Sequence, residues 1–263
     1  MARWRSSLGV ILLLAFPPLM GLVGFSRTSG NPGENAALPS TVVGLLWVCA
    51  LNLGLFALAA VGIGFLCRLD RKELFAESEW RHWKTWAWGL GYSILLRIGL
   101  AFLMMTLVFG EALMRWSQGQ PLDSVRGLRP QIENLIDPTG LRNPLYLFLA
   151  TTLVSFVVAG LREELWRAAL FAGMERWKDG ILTHRWGRPG VILLAAVAFG
   201  LGHLPQGWGG VFLTGILGIG LGWILLHRRS LWVAVLAHGF FDAASFLMLR
   251  VVDALGLLEE ALR

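Results

Sequence analysis

Charged side chains are scarce in this 263-residue chain, where they make up 15% of the residues against 56% for hydrophobic ones. That balance excludes an ordinary soluble domain and predicts a polytopic membrane protein in a lipid bilayer. Cysteine is scarce as well: Cys49 and Cys67 fall in one apolar segment, which excludes a disulfide framework and a cysteine-based zinc cluster. In such a chain a net charge of +6 reflects loop charges, so it predicts no nucleic-acid partner.

Several familiar functional patterns are also missing. No Ser-His-Asp or Cys-His arrangement is visible, and H-E-x-x-H is absent. Ser155 lies two helical turns before Glu163 and has no base at a suitable spacing. A proton-coupled transporter would be expected to have repeated halves with interrupted helices, and no convincing internal repeat is present. These absences disfavour a serine or cysteine hydrolase, a zincin-type protease and a transporter.

Long apolar runs are what the chain does have, and they predict an all-α bundle of about seven transmembrane helices (seven or eight). Residues 1–143 would form N-terminal transmembrane helices and loops, 144–250 a core with the intramembrane site, and 251–263 a short interfacial segment. The loop 110–143 is long enough for a surface helix of its own. The predicted spans are the N-terminal run to residue 25, then 40–67, 86–109, 144–175, 190–204, 208–226 and 231–249.

Basic residues in the predicted loops indicate the orientation. Segments on the same side as the N-terminus hold thirteen Lys and Arg residues, and those on the opposite side hold seven. Positive residues collect in cytoplasmic loops, so this bias predicts a multi-pass protein of the cell membrane with a cytoplasmic N-terminus.

Ionisable side chains inside predicted spans are the main functional signal. Glu163 and Glu164 are adjacent in the fourth span, and Arg162 and Arg167 flank them. Such groups cost several kcal/mol in hydrocarbon and persist where they face a cavity or a partner. Arg97, in the middle of the third span, has no partner that the sequence identifies. His203, and His238 with Asp242, place further polar groups in the fifth and seventh spans.

Helix geometry predicts that these polar groups meet. Residues four apart share a helix face, so Glu163 and Arg167 face together, as do Phe199 and His203, and His238 and Asp242. Glu164 lies ~100° round from Glu163, so only one of the two can face a shared site squarely. Depths of ~20 Å for Glu163, ~18 Å for His203 and ~10 Å for His238 differ by no more than helix tilt absorbs. One cavity on the cytoplasmic side is therefore predicted.

The residue types in that cavity fit hydrolysis of a peptide bond. Such a reaction needs a base for water, an acid for the leaving amine and donors for the oxyanion. A carboxylate can serve as the base, and histidines can donate to the oxyanion, orient the water or bind a metal.

The ordered motifs resemble the CAAX-processing and bacteriocin-processing (CPBP) family of intramembrane proteases, the type II CAAX prenyl endopeptidases. An acid pair followed by arginine is succeeded by F-x-x-x-H and then by H-x-x-x-[N/D]. The resemblance extends from about residue 144 to 249. The matching residues are Glu163, Glu164 and Arg167, then Phe199 and His203, then His238 and Asp242.

That resemblance implies an intramembrane endopeptidase acting on a peptide or protein substrate. Glu163 or Glu164 would activate water with His203, while His238 and Asp242 would stabilise the oxyanion and Arg167 and Phe199 would support the site. Asp242 stands where prenyl proteases often have Asn. If it orients His238 instead, His203 and His238 become candidate ligands of a divalent metal such as zinc.

One departure from the family pattern leaves alternatives open. The first family motif is usually E-E-x-x-x-R, and here the spacing to Arg167 is one residue shorter. Aligned on Arg167, the first family glutamate falls on Arg162 and the second on Glu163, so the resemblance favours Glu163 as the acid that faces the site and Glu164 as the supporting residue. Either Glu163 takes over through a local helix adjustment, or the work is shared differently, or the chain is an inactive scaffold or immunity-type factor. Purely structural roles are also open. Glu163 and Glu164 could form salt bridges with the flanking arginines, and His203 could lie at a helix end. His238 and Asp242 could form a hydrogen-bonded pair between helices.

Overall fold

Seven helices follow one another in the computed structural model, which describes residues 3–28, 36–67, 69–70, 72–77, 80–120 and 130–257. Within those ranges the chain forms no strand and makes one isolated β-bridge, between Leu38 and Ile136. The predicted all-α polytopic bundle is confirmed. The helices are α1 Arg3–Thr28, α2 Val42–Cys67, α3 Trp83–Ser117, α4 Pro144–Trp177, α5 Gly187–Leu201, α6 Gly207–Arg228 and α7 Leu231–Ala254.

Six of these helices are long and apolar enough to cross a bilayer, and α5 is a shorter apolar helix of 15 residues. Large apolar side chains on α2 and α3 point outward, with Val43 79% and Phe102 70% exposed. In water such a surface would be unfavourable, whereas lipid tails accept it. The outer face of the bundle therefore has the composition of a lipid-facing surface.

Local sequence explains where several helices begin and end. The Asn143 side chain accepts from the backbone N–H of Leu145 at 2.9 Å, and Pro144 occupies the first position of α4, where no N–H is needed. Ser230 caps α7 by accepting from the Val233 N–H at 3.3 Å. Gly207 has φ of 72°, a conformation that suits glycine, and it makes the sharp entry into α6.

Helix α4 is not uniform along its length. It is α-helical over Pro144–Leu149, π-helical over Ala150–Leu161 and α-helical again over Arg162–Trp177. The last stretch is buried in the centre of the bundle, where α1, α5, α6 and α7 surround it. The π-helical stretch packs along α7. Helix α4 is therefore the central helix of the bundle.

Some helix ends differ from the predicted ones. Helix α3 continues to Ser117, into the predicted loop. In the rest of that loop, as far as the structure describes it, the helical elements are short 3₁₀ turns at Ile132–Asn134 and Pro138–Arg142. Helix α5 ends at Leu201 rather than 204, since Gly202 and Pro205 follow and neither favours helix continuation. Helix α7 continues to Ala254, through the first residues of the predicted interfacial segment, whose residues 258–263 lie outside the described ranges.

Candidate active site

The two adjacent glutamates lie in the first turn after the π-helical stretch of α4. Each pairs with its own arginine: Glu163 with Arg162, and Glu164 with Arg167. Arg167 forms its ion pair with Glu164, three residues earlier, although the four-residue spacing predicts that it shares a helix face with Glu163. Arg162 also donates to the Asn52 side chain of α2 at 2.9 Å. Both carboxylates are thus held by cations inside the bundle.

His238 of α7 lies between the two carboxylates. Its Nδ1 is 2.9 Å from Glu164 Oε1, and since a carboxylate only accepts, Nδ1 donates this hydrogen bond. Its Nε2 is 3.8 Å from Glu163 Oε2 and 3.6 Å from Asp242 Oδ2. Helix geometry predicts that only one glutamate faces the site squarely. In the structure both lie near the His238 ring, because Nδ1 of the ring faces Glu164 and Nε2 faces Glu163.

His203 lies just beyond the end of α5. Its Nδ1 is 2.9 Å from the carbonyl oxygen of Phe199, which can only accept, so Nδ1 carries the proton and Nε2 is left with its lone pair. The bond caps a carbonyl at the helix end. The His203 ring packs on Phe199, which also packs on the ring of His238, the partner of Glu164. The fifth-span histidine therefore faces the same site as the fourth-span acid.

Phe199 fills the space between these groups. Its ring centroid is 4.7 Å from that of His203 and 6.0 Å from that of His238, and the Arg167 guanidinium carbon lies 4.7 Å from it. Trp166 stacks on its far side at 6.5 Å. The seven residues predicted from the motifs are therefore brought together, while their roles stay predictions.

Burial separates the two glutamates. The side chains of Glu164 and Arg167 have no exposed surface and His238 keeps 3%, whereas Glu163 keeps 15% and Asp242 27%. The second oxygens of Glu163 and Glu164 are buried and have no hydrogen-bond partner among the described residues. The exposed edge of the site is therefore formed by Glu163 and Asp242, and Glu164 lies behind it.

The motifs did not identify Asn52 of α2 or Arg97 of α3. Asn52 holds Arg162, as described above. Arg97 donates to the Phe241 carbonyl and, at 3.2 Å, to Ser245 Oγ, both on α7. A lone polar residue in an apolar span was the signal available in each case.

An apolar cavity of about 150 Å³ lies beside the site, between α1, α2 and α4. Trp166, which stacks on Phe199, forms part of its wall, together with Phe16 of α1 and Phe56 of α2. Phe56 is one helical turn from Asn52. The cavity is therefore separated from the catalytic candidates by one layer of side chains.

The side chains present do not form a ready metal site. Among the described residues, no group of three or more His, Cys, Asp and Glu side chains is arranged to hold a metal ion. Nδ1 of His203 and Nδ1 of His238 are each engaged in a hydrogen bond, which leaves the two Nε2 atoms as the nitrogens that could ligate a metal. A zinc ion on His203 and His238 stays a prediction from the sequence.

Comparison with known families adds one finding. Residues 145–244 match the model of the family described as type II CAAX prenyl endopeptidase Rce1-like. No curated protein and no solved structure matches the chain. The matched segment runs from the start of α4 into α7 and contains all seven motif residues. It confirms the resemblance seen in the motifs and supports an intramembrane protease kind of function; over residues 145–244 the chain is similar to the Rce1-like type II CAAX prenyl endopeptidases.

Proposed function

We propose that this protein is an intramembrane endopeptidase in which Glu163 activates the attacking water. His203 orients that water, and His238 with Asp242 stabilises the oxyanion. Glu164 and Arg167 hold His238 in place. The substrate is a peptide or protein presented in or at the membrane.

The observation that carries this proposal is the environment of Glu163 Oε2. It is buried, has no hydrogen-bond partner among the described residues and lies 3.8 Å from His238 Nε2. Glu164 is a weaker candidate because Arg167 and His238 Nδ1 both engage its other oxygen and its side chain is fully enclosed. A general base has to reach water, and of the two acids Glu163 has the exposed edge.

The proposed reaction uses each group in one step. Glu163 Oε2 accepts one proton of the water, and His203 Nε2 accepts a hydrogen bond from the other. The water oxygen then forms a bond to the peptide carbonyl carbon, and the proton taken by Glu163 passes to the leaving nitrogen as the C–N bond breaks. In its doubly protonated form His238 donates from Nε2 to the oxyanion, while Nδ1 stays bonded to Glu164. No step requires a metal ion.

The apolar cavity beside Trp166 supports a substrate with an apolar group near the cleaved bond. A mainly apolar pocket of this size has room for a group about as large as a benzene ring. Access from the bilayer would let such a group enter without passing through water. The substrate itself is to be identified by experiment.

Replacing Glu163 with Gln tests the proposal without removing a side chain. Wild-type protein and the variant are expressed in the same host, and new peptide N-termini in the membrane fraction are compared by quantitative mass spectrometry. We expect a set of termini that depends on wild-type protein and falls at least ~10²-fold in Glu163→Gln, since loss of a general base costs about 10²–10⁴-fold. The purified variant should stay folded, with its Tm lowered by no more than the loss of the pairing with Arg162 explains.

Glu111→Gln is the matched control. Glu111 is also paired with an arginine in a long apolar helix, Arg115 of α3 at 2.9 Å, and takes no part in the site. It should leave the termini unchanged. Wild-type levels of cleavage by Glu163→Gln, or wild-type protein that generates no new termini, would contradict the proposal.

One observation also fits a non-catalytic scaffold. Each glutamate is already paired with an arginine, as in a structural ion network. On that reading Glu163→Gln would lower Tm and change no termini, which the same experiment measures.

A further inference from the structure

His203 lies in a short turn, residues 202–206, that joins α5 to α6. Helix α5 has 15 residues and extends about 22 Å, which is less than the ~30 Å thickness of the apolar layer. A helix of that length that starts at one membrane surface ends inside the layer. Non-helical backbone at that depth is stable where protein groups satisfy its N–H and C=O groups. The α5–α6 turn therefore needs partners from other parts of the chain.

Hydrogen bonds within the turn link His203 to its neighbours in sequence. The His203 N–H donates to the Gly200 carbonyl at 2.8 Å, and the Gln206 N–H donates to the His203 carbonyl at 2.9 Å. The His203 ring is bonded to the Phe199 carbonyl, also on α5. These bonds fix the shape of the turn relative to α5. Its position relative to the other helices has to be set by contacts with them.

Asn134 makes such a contact from the connection between α3 and α4. It is buried, and its Nδ2 donates to the Pro205 carbonyl at 2.9 Å and to Gln131 Oε1 at 2.9 Å. A second bond runs beside it, from the Gln131 N–H to the Gln206 carbonyl at 2.9 Å. Two consecutive carbonyls of the α5–α6 turn are therefore held by this connection.

The segment that carries Asn134, residues 131–136, is itself held by the chain before α2. The Ala37 N–H donates to the Asn134 carbonyl at 3.0 Å. Leu38 and Ile136 are buried and form the isolated β-bridge of the fold. The segment therefore has a fixed place of its own, from which it can hold the α5–α6 turn.

We propose that Asn134 is a positioning residue that fixes the α5–α6 turn through the Pro205 carbonyl and thereby places the His203 ring at the site. A side chain on a turn needs such support more than one on a helix, because a turn holds its residues less precisely. Asn134 lies outside the matched residues 145–244, so the α3–α4 connection completes the site. The inference rests on the proposed function for its catalytic meaning, whereas the placement of the ring does not.

Replacing Asn134 with Leu removes the amide at similar volume and leaves the Pro205 carbonyl without this donor. The full chain and the variant are purified in lipid nanodiscs with ¹⁵N-labelled histidine. The chain has five histidines, and a His203→Gln reference identifies the His203 ring signals. We expect those signals to shift in Asn134→Leu, because the ring packs at 4.7 Å on the aromatic ring of Phe199 and its signals respond to small displacements. The signals of His227, at the other end of α6, should stay in place.

Asn143→Leu is the matched control, since Asn143 belongs to the same α3–α4 connection. Its side chain also takes part in two hydrogen bonds, accepting from the N–H groups of Leu145 at 2.9 Å and Tyr146 at 3.3 Å. Both variants should lower the Tm, by roughly 2–10 °C, through loss of hydrogen bonds and of a helix cap. The His203 signals should shift in Asn134→Leu and not in Asn143→Leu. Unmoved signals in the first variant, or equal shifts in both, would show that Asn134 contributes stability alone, which overturns the proposal.

A smaller substitution keeps the test decisive if Asn134→Leu does not fold. Asn134→Ala also removes the donor and should shift the His203 signals in the same way. Failure of both variants to fold would overturn the proposal, because Asn134 would then be required by the bundle as a whole rather than for the placement of one ring.

Cleavage kinetics give a second readout, with a substrate identified from the new N-termini. Asn134→Leu should lower kcat by at least ~10-fold and change KM little, since a displaced His203 orients water poorly but the substrate still binds. Failure of this proposal and failure of the proposed function are distinguishable, because the ring signals do not depend on cleavage. A shifted ring in a protein that cleaves nothing would support the placement in a non-catalytic scaffold. Cleavage with an unmoved ring would leave the protease and remove Asn134 from its site.

Discussion

Phe199 lies between both histidines and the buried Arg167, with its ring centroid 4.7 Å from the His203 ring and from the Arg167 guanidinium carbon. An aromatic ring attracts a cation over its face, and it offers rigid edges against which imidazoles pack. Phe199 transfers no proton itself, but its packing can fix the positions of the two histidines.

Replacing Phe199 with Leu should therefore affect chemistry more than folding. We expect cleavage to fall by roughly 10–100-fold, since displacement of catalytic groups by about 1 Å costs this much. The cleavage rate of a substrate identified from the new N-termini is the measurement, with Tm recorded beside it. Phe102→Leu, at a lipid-facing ring that is 70% exposed, is the control and should change neither. Equal cleavage by both variants would contradict a positioning role for Phe199.

Sequence spacing predicts contacts within a helix better than contacts between helices. His238 and Asp242, four residues apart, lie on one face as predicted, with Nε2 and Oδ2 3.6 Å apart. The shared site of Glu163, His203 and His238 could also be anticipated from depth. The partners of Asn52 and Arg97 could not, because helical periodicity does not specify which helices become neighbours. The Glu164–Arg167 pair was missed since spacings of three and four are both allowed and only packing chooses between them.

At the scale of the element, the π-helical stretch Ala150–Leu161 precedes the acid pair directly. Ser155 donates to the Ala150 carbonyl five residues earlier at 2.8 Å, a spacing that matches the π-helix. Wider turns of this kind occur frequently at functional sites, because they change the face that following residues present. The sequence predicts one long span here, with a local helix adjustment near Glu163 as one alternative. It could not place the adjustment, since no residue type specifies a π-helix.

Close contact between this stretch and α7 sets the distance from Glu164 to His238. A Cβ atom on Gly160 would lie 2.9 Å from the Val235 carbonyl oxygen, a backbone atom that cannot move aside alone. Gly160→Val should therefore force α4 and α7 apart, lower stability by ~1–3 kcal/mol and weaken cleavage through the Glu164–His238 hydrogen bond. Thermal unfolding in nanodiscs and the cleavage rate measure the two effects.

Gly99→Val is the control for that change. A Cβ atom at Gly99 of α3 would meet nothing within 4 Å, so the same substitution there should leave stability within ~0.5 kcal/mol and cleavage unchanged. Equal losses at both positions would mean that valine disturbs any helix of this bundle. The close α4–α7 approach would then not explain the effect.

At the scale of the whole molecule, the number of helices followed from hydropathy because each long apolar run had to be buried in lipid. Their ends followed less well. Helix α5 has 15 residues, and His203 stands beyond its end, where the sequence had placed it inside a span. The core of the bundle is built on α4, whose buried residues include Glu164 and Arg167 beside apolar ones. Hydropathy alone scores such charged residues as unfavourable in a membrane-spanning helix. Their partners on α5 and α7 explain why they can lie in the centre of the bundle.

Orientation across the membrane is the last prediction, and it follows from the distribution of loop charges. Single cysteines at exposed Gln120, Lys178 and Leu255 are introduced after Cys49 and Cys67 are replaced by Ala. If the N-terminus is cytoplasmic and all seven helices cross, a membrane-impermeant maleimide should label Gln120→Cys and Leu255→Cys on intact cells. Lys178→Cys, separated from them by one helix in one direction and three in the other, should react only after permeabilisation. Labelling of Lys178→Cys alone would reverse the orientation. Labelling of Gln120→Cys without Leu255→Cys would mean that one of the three helices α5, α6 and α7 does not cross the membrane. Leu255 would then lie on the same side of the membrane as Lys178.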